Sequence, residues 1–157
     1  MKRWHPYKSG FTLVELLVVV AVLGILATLS VGGFQSLTQS QQVKNASFEL
    51  FSSLSLARSE AIKRNGNVTV TPVSTADWGH GWTITSAGGE SIKSQAALKG
   101  VSISATGTPA SVVYARTGRA TASASFQVDV AATSTTNVRC IKLELSGMPR
   151  TLKGACS

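Results

Sequence analysis

The chain changes its hydrophobic pattern twice. From Phe11 to Val31 nearly every position is apolar, broken only by Thr12, Glu15, Gly24, Thr28 and Ser30. As a helix, that run matches the roughly 30 Å hydrocarbon core of a bilayer. Beyond Val31 the apolar positions thin to a stripe at three- and four-residue spacing: Val43, Ala46, Leu50, Leu54, Ala57 and Ala61, joined by Phe51 and Ile62. Such a stripe marks one face of an amphipathic helix. Lys44, Ser47, Arg58 and Lys63 fall mainly on its other faces. Gly32-Gly33 loosens the helix between the two patterns, since an interior glycine costs about 1 kcal/mol. Asn65-Gly66 is a natural stop. The pattern predicts one long helix over 11–64, about 80 Å if straight. Its first half lies in lipid and its second half packs on a globular domain.

From residue 67 onward, short β-rich runs alternate with Gly, Ser and Thr turns. Strands are predicted at Val68–Val73, Trp82–Thr85, Val101–Ala105, Val112–Ala115, Phe126–Val130 and Val138–Leu145. The last alternates cleanly, with Val138, Cys140, Lys142 and Glu144 on one face and Arg139, Ile141, Leu143 and Leu145 on the other. Ala120–Ser125 and Ala131–Thr136 read as turns or exposed strand edges. The expected fold is α+β: a long N-terminal helix, transmembrane in its first half and amphipathic in its second, packed on a twisted antiparallel sheet. The segments this implies are 1–10, 11–33 (transmembrane), 34–65 (amphipathic) and 66–157 (β-rich head).

Composition narrows the function. In 157 residues there are 15 lysines and arginines against 7 acidic residues, a formal charge of +8. With 43% hydrophobic and only 14% charged residues, this is not a disordered polar chain. His5 and His80 are too far apart in sequence to suggest a metal site. There is no nucleophile elbow, phosphate-cradling glycine loop or carboxylate pair. The expectation is no enzyme, no metal and no cofactor. Cys140 and Cys156 are either a bridge or two free thiols; a disulfide closing this loop would contribute roughly 3 kcal/mol in an oxidising compartment. Asp77-Trp78-Gly79-His80-Gly81-Trp82 suggests a tight turn feeding a strand, with both tryptophans as packing anchors and His80 exposed.

Lys2, Arg3 and Lys8 precede the apolar run and no charge closely follows it. This places residues 1–10 in the cytoplasm and the C-terminal bulk across the inner membrane, in a single pass. A secretory signal peptide would end in a small-x-small site, which Ala27-Thr28-Leu29-Ser30 fits poorly. Glu15 sits inside the run, where a carboxylate costs roughly 2.5–3.5 kcal/mol and marks a function and a partner. Lys8-Ser9-Gly10-Phe11-Thr12-Leu13-Val14-Glu15 resembles the class III leader of type IV pilins and pseudopilins. The resemblance implies cleavage by prepilin peptidase between Gly10 and Phe11, making 1–10 a leader. It also implies methylation of the new Phe11 amine, and Glu15 as the assembly carboxylate. Glu15 would meet the amine of a neighbouring subunit, or in the blander alternative its own.

The Trp-x-x-Gly-Trp turn narrows the resemblance to minor pseudopilins of the type II secretion protein H, FimT and FimU group. Ala57-Arg58-Ser59-Glu60-Ala61 with Arg64, Tyr114-x-Arg116-x-Gly118-Arg119, and Ser146-Gly147 before Arg150 are similar to that group as well. It implies a structural subunit that helps initiate or cap a type II secretion pseudopilus or a type IV pilus. Its partners would be other pilins, met through the N-terminal helix. Its place would be the inner membrane and then the filament, with a periplasmic head. An alternative is DNA capture for natural transformation, with Arg139, Arg150 and Lys153 as candidate contacts. FimT-like members carry a Gly-Arg-x-Arg turn. Here the stretch is Gly147-Met148-Pro149-Arg150, with methionine in place of the first arginine, so DNA is not the favoured partner.

Overall fold

The fold comes from a computed structural model that describes residues 10–106, 111–130 and 137–156, with the backbone alone for 27–35. The basic segment at 1–9 and the small-residue stretch at 131–136 lie outside the described residues. The chain divides into two compact units, Met1–Leu37 and Thr38–Ser157.

One helix, α1 (Leu13–Lys63, 51 residues), begins in the first unit and ends in the second. It runs without a break through Gly32-Gly33. It starts at Leu13 because Thr12 caps it: the Thr12 hydroxyl accepts from the Glu15 N–H at 3.3 Å. From Leu13 to Leu26 the large apolar side chains stay largely exposed, from 46% at Val19 to 78% at Leu13. That stretch rises about 20 Å. Among the described residues no helix is long and apolar enough to cross a membrane. The remainder of the apolar run, 27–31, falls where side chains are not described.

In the second unit α1 turns one face to a β-rich layer. All six stripe positions named from sequence are buried. Two expectations change. Ser47 is also buried, and can be because its hydroxyl donates to the Val43 carbonyl at 2.7 Å. Ile62 is half exposed, lying on the flank of the stripe. The helix stops through Asn65, at a φ of 50°: its N–H donates to Ile62 O and the Gly66 N–H to Ala61 O. That pair of bonds is the Schellman closure, with asparagine in the left-handed position.

Eight strands follow: β1 (Val68–Pro72), β2 (Trp82–Ser86), β3 (Ser91–Gln95), β4 (Ser102–Thr106), β5 (Val112–Tyr114), β6 (Ala124–Asp129), β7 (Arg139–Leu143) and β8 (Pro149–Lys153). They form two four-stranded sheets rather than the single sheet expected, in the orders β3-β2-β1-β5 and β4-β6-β7-β8. Every pairing is antiparallel. The strand expected over Val138–Leu145 is shorter, because a turn closes at Gly147 N–H to Glu144 O. β3 and β8 were not expected. Val68, Val70, Ile84, Ile103, Tyr114, Phe126, Val128, Ile141 and Leu143 join the helix stripe and both tryptophans in one core. Cys140 and Cys156 are bonded, with their Cα atoms 5.0 Å apart.

Among the described glycines, the closest approach of neighbouring backbone joins two turns. A Cβ placed on Gly147, at φ +79°, would sit 1.9 Å from the Gly118 carbonyl oxygen. Gly154 also has a positive φ, +101°, but nothing lies within 4 Å of its Cβ position. Gly154→Ala should therefore cost only the left-handed backbone penalty, about 1–2 kcal/mol. Gly147→Ala adds overpacking, for a total of roughly 3 kcal/mol or more. Denaturant midpoints of the two variants, measured side by side, check this; equal losses would refute the contact.

Candidate functional site

Each sequence-derived candidate now has a place. Gly10, Phe11 and Glu15 are exposed, Phe11 at 80%. Among the described residues the Glu15 carboxylate makes no hydrogen bond or ion pair. Only its backbone is engaged, with Thr12. Thr12-Leu13-Val14-Glu15 is also the spacing of a capping box, a signal legible in the sequence and missed there. A carboxylate in the first helical turn is favoured by the helix dipole.

The tryptophan turn is structural. Trp78 and Trp82 are buried, and Trp78 meets Phe126 edge to face with ring centroids 4.9 Å apart. The organising residue is Asp77, which sequence reasoning passed over. One carboxylate oxygen accepts from the N–H of Gly79 at 2.7 Å and of Ile103 at 2.8 Å. The other accepts from the Ser102 hydroxyl at 3.0 Å. Asp77 thus caps the 3-10 turn Trp78–His80 and fastens it to β4. His80 is exposed, with its Nδ1 3.2 Å from the Asp77 carbonyl oxygen and 3.9 Å from the Asp77 carboxylate.

Three further motifs meet in one cluster. Arg58 Nε donates to the Gly118 carbonyl at 3.1 Å, and Gly147 packs on that same carbonyl. A Cβ on Gly118, at φ +76°, would stand 2.6 Å from Ile62 Cδ1. The helix motif, the Tyr114–Arg119 turn and the Ser146-Gly147 turn are therefore one clamp. Tyr114 is buried beside it, and burial pushes its phenol well above the ordinary range, opposed by the Arg58 charge. At the helix end Arg64 bonds both Glu60, at 2.6 Å, and Glu90 in the β2–β3 turn. The Arg64 guanidinium, aided by Lys63, holds the Glu60 carboxyl below its usual value.

The three basic candidates do not all share one surface. In the β7–β8 ladder Arg139 stands opposite Lys153, and Lys142 opposite Arg150. Directly opposed residues point to the same face, and neighbours along a strand alternate. Arg139 and Lys153 therefore point to one face, and Arg150 with Lys142 to the other. Lys44 of α1 joins the first pair, lining a depression with both. Among the described residues no group of three or more His, Cys, Asp and Glu side chains is placed to hold a metal.

Comparison with known proteins places these features. Residues 46–147 match the profile described as type II transport protein GspH. Residues 6–31 match the prokaryotic N-terminal methylation motif. A fimbrial protein of Pseudomonas aeruginosa is 44% identical over 55 residues, so the match spans 35% of this chain and 35% of that relative's length. Among solved structures the fold is similar to the type IV minor pilin FimU of Pseudomonas aeruginosa. That match has a TM-score of 0.61 and 18% identity, covering 69% of this chain and 91% of that one. It is also similar to the minor pseudopilin EpsH of the Vibrio cholerae type 2 secretion system. There the TM-score is 0.58 and the identity 15%, covering 71% and 97% respectively. The helix-on-antiparallel-sheet arrangement is the pilin-like fold.

The Arg64–Glu60 pair sets a pH dependence. A carboxyl held low in the folded chain contributes stability above its unfolded pKa, and loses it as pH falls through the folded value. Glu60→Gln should thus be less stable than the parent at neutral pH and indistinguishable from it in acid. Unfolding midpoints over a pH series test this; a gap that persists below the carboxylate range would assign the loss to packing.

Proposed function

The chain belongs to the GspH family of type II transport proteins, and we propose from that premise that it is a minor pilin-like subunit. It is a structural component rather than an enzyme, and it helps initiate or cap a type II secretion pseudopilus or type IV pilus. The observation that carries this is the pairing of two independent features. One is the methylation-motif segment, whose helix, Glu15 apart, exposes apolar side chains around its circumference from Leu13 to Leu26. The other is a head of the same fold as FimU and EpsH.

Maturation follows from the leader pattern. Prepilin peptidase cuts between Gly10 and Phe11, both exposed ahead of the helix, and the new Phe11 amine is methylated. The exposed apolar surface of Leu13–Leu26 needs a cover, first the inner membrane and then neighbouring helices in the filament. Among the described residues the Glu15 carboxylate has no partner, so a neighbour's N-terminal ammonium is its natural one. Such a pair fixes register, because a misaligned carboxylate stays buried and unpaired. The head stands in the periplasm, where Cys140–Cys156 forms and persists. The candidate DNA contacts Arg139, Arg150 and Lys153 are divided between two faces of the ladder, so these three do not form one continuous cationic strip for DNA capture.

Mass spectrometry of the membrane-extracted protein should find an N-terminus at Phe11 carrying one methyl group. A chain beginning at Met1 would overturn the reading. Glu15→Ala should insert normally but enter filaments at least about tenfold less, because breaking a buried ion pair costs about 3–5 kcal/mol. Unchanged incorporation would reject the register role.

A further inference from the structure

The seam between α1 and β8 is open along its length. One depression of about 500 Å³ lies between Ser40, Lys44, Asn137, Arg139 and Lys153. A second, of about 580 Å³, shares Lys44 and Arg139 with it and continues past Phe48 and Phe51 to Thr151. A third, of about 160 Å³, extends the line from Phe51 to Ile62, Met148 and Pro149. All lining residues belong to the Thr38–Ser157 unit.

Three properties of this groove point the same way. Every charged side chain lining the two larger depressions is a cation: Lys44, Arg139 and Lys153. None of the three has a hydrogen bond or ion pair among the described residues. The ladder sets Arg139 directly opposite Lys153, a like-charge pair that costs stability unless an anion stands between. The middle of the groove is aromatic, with Phe48 68% exposed. Its far wall is β8, an edge strand that pairs with β7 alone, so its other side is open to an added strand.

We propose that the α1–β8 seam docks an extended acidic segment of a partner polypeptide. Carboxylates of that segment bridge Lys44, Arg139 and Lys153. Its apolar side chains lie on Phe48 and Phe51, and its backbone runs beside β8. An alternating acidic–apolar strand fits this surface better than a nucleic acid does. The remaining ladder cations, Lys142 and Arg150, face away from Arg139 and Lys153, so the β7–β8 ladder offers a phosphate backbone no continuous track. Filament incorporation reads the N-terminal helix and peptide binding reads the seam, so each fails separately.

The test uses the full chain in detergent micelles, with fluorescence anisotropy of a labelled peptide alternating glutamate and valine. Saturable, salt-sensitive binding is expected. Lys44→Glu combined with Lys153→Glu should weaken it about tenfold or more. Phe48→Ser should weaken it by a smaller factor. Lys99→Glu, at an exposed cation outside the seam, should leave it unchanged. A glutamine–valine peptide should not bind. Absence of saturable binding, or equal binding by the Lys44→Glu/Lys153→Glu variant, overturns the proposal. So does tighter binding of a DNA duplex that the same variant abolishes, which would make the seam a nucleic-acid surface. Self-association of that variant where the parent binds no peptide would instead make the cations guards of an open sheet edge.

Discussion

The head is organised by a single helical stripe that has to serve as a wall for two sheets. Val43, Leu50 and Leu54 supply bulk, while Ala46, Ala57 and Ala61 keep the helix surface low. Fully burying a valine or leucine side chain contributes about 1.5–3 kcal/mol, so the three large residues supply most of the gain on the helix side. The alanines contribute less by area, but they let the strands come near. Arg58 sits one position beyond Ala57 and reaches the Gly118 carbonyl. That carbonyl is the floor on which Gly147 rests. A bulkier helix face, or any side chain at Gly147, would hold these turns apart.

What the sequence disclosed follows from burial. The stripe and the central strands β1, β2, β6 and β7 alternate apolar with polar positions because one of their faces is covered. The two strands that went unseen, β3 and β8, are both sheet edges. β3 is partly buried at best, and β8 buries only Pro149. An edge strand needs little apolar surface, and a leading proline is tolerated there. The division into two sheets was hidden for another reason. Alternation reports which face of a strand is buried, but not which strand lies beside it, and β5 returns to the first sheet between β4 and β6.

The functional residues were legible to different depths. The leader pattern and Glu15 stood out because a carboxylate inside an apolar run is costly. Asp77 did not, since an acidic residue before a glycine-rich turn looks like ordinary turn chemistry. Its two bonds into β4 exist only after the chain folds. The basic tail misled by proximity. Arg150 and Lys153 are close in sequence, yet strand geometry sends them to opposite faces. Lys44, about a hundred residues away in sequence, lines one depression with Lys153.

Two sets of charges among the described residues differ in an informative way. Where a charge fastens one element to another it is paired. Asp77 meets the turn and β4, Arg64 meets Glu60 and Glu90, and Lys93 of β3 meets Glu49 of α1 at 3.4 Å. Glu15, Lys44, Arg139 and Lys153 have no such partner among the described residues. They are not scattered. Glu15 lies in a segment whose apolar surface is exposed on all sides, and the three cations line the open edge of a sheet. A solvated charge needs no partner, but these stand beside apolar surface that water does not favour. Covering either surface requires another molecule, and each carries the charge that such a molecule would have to match.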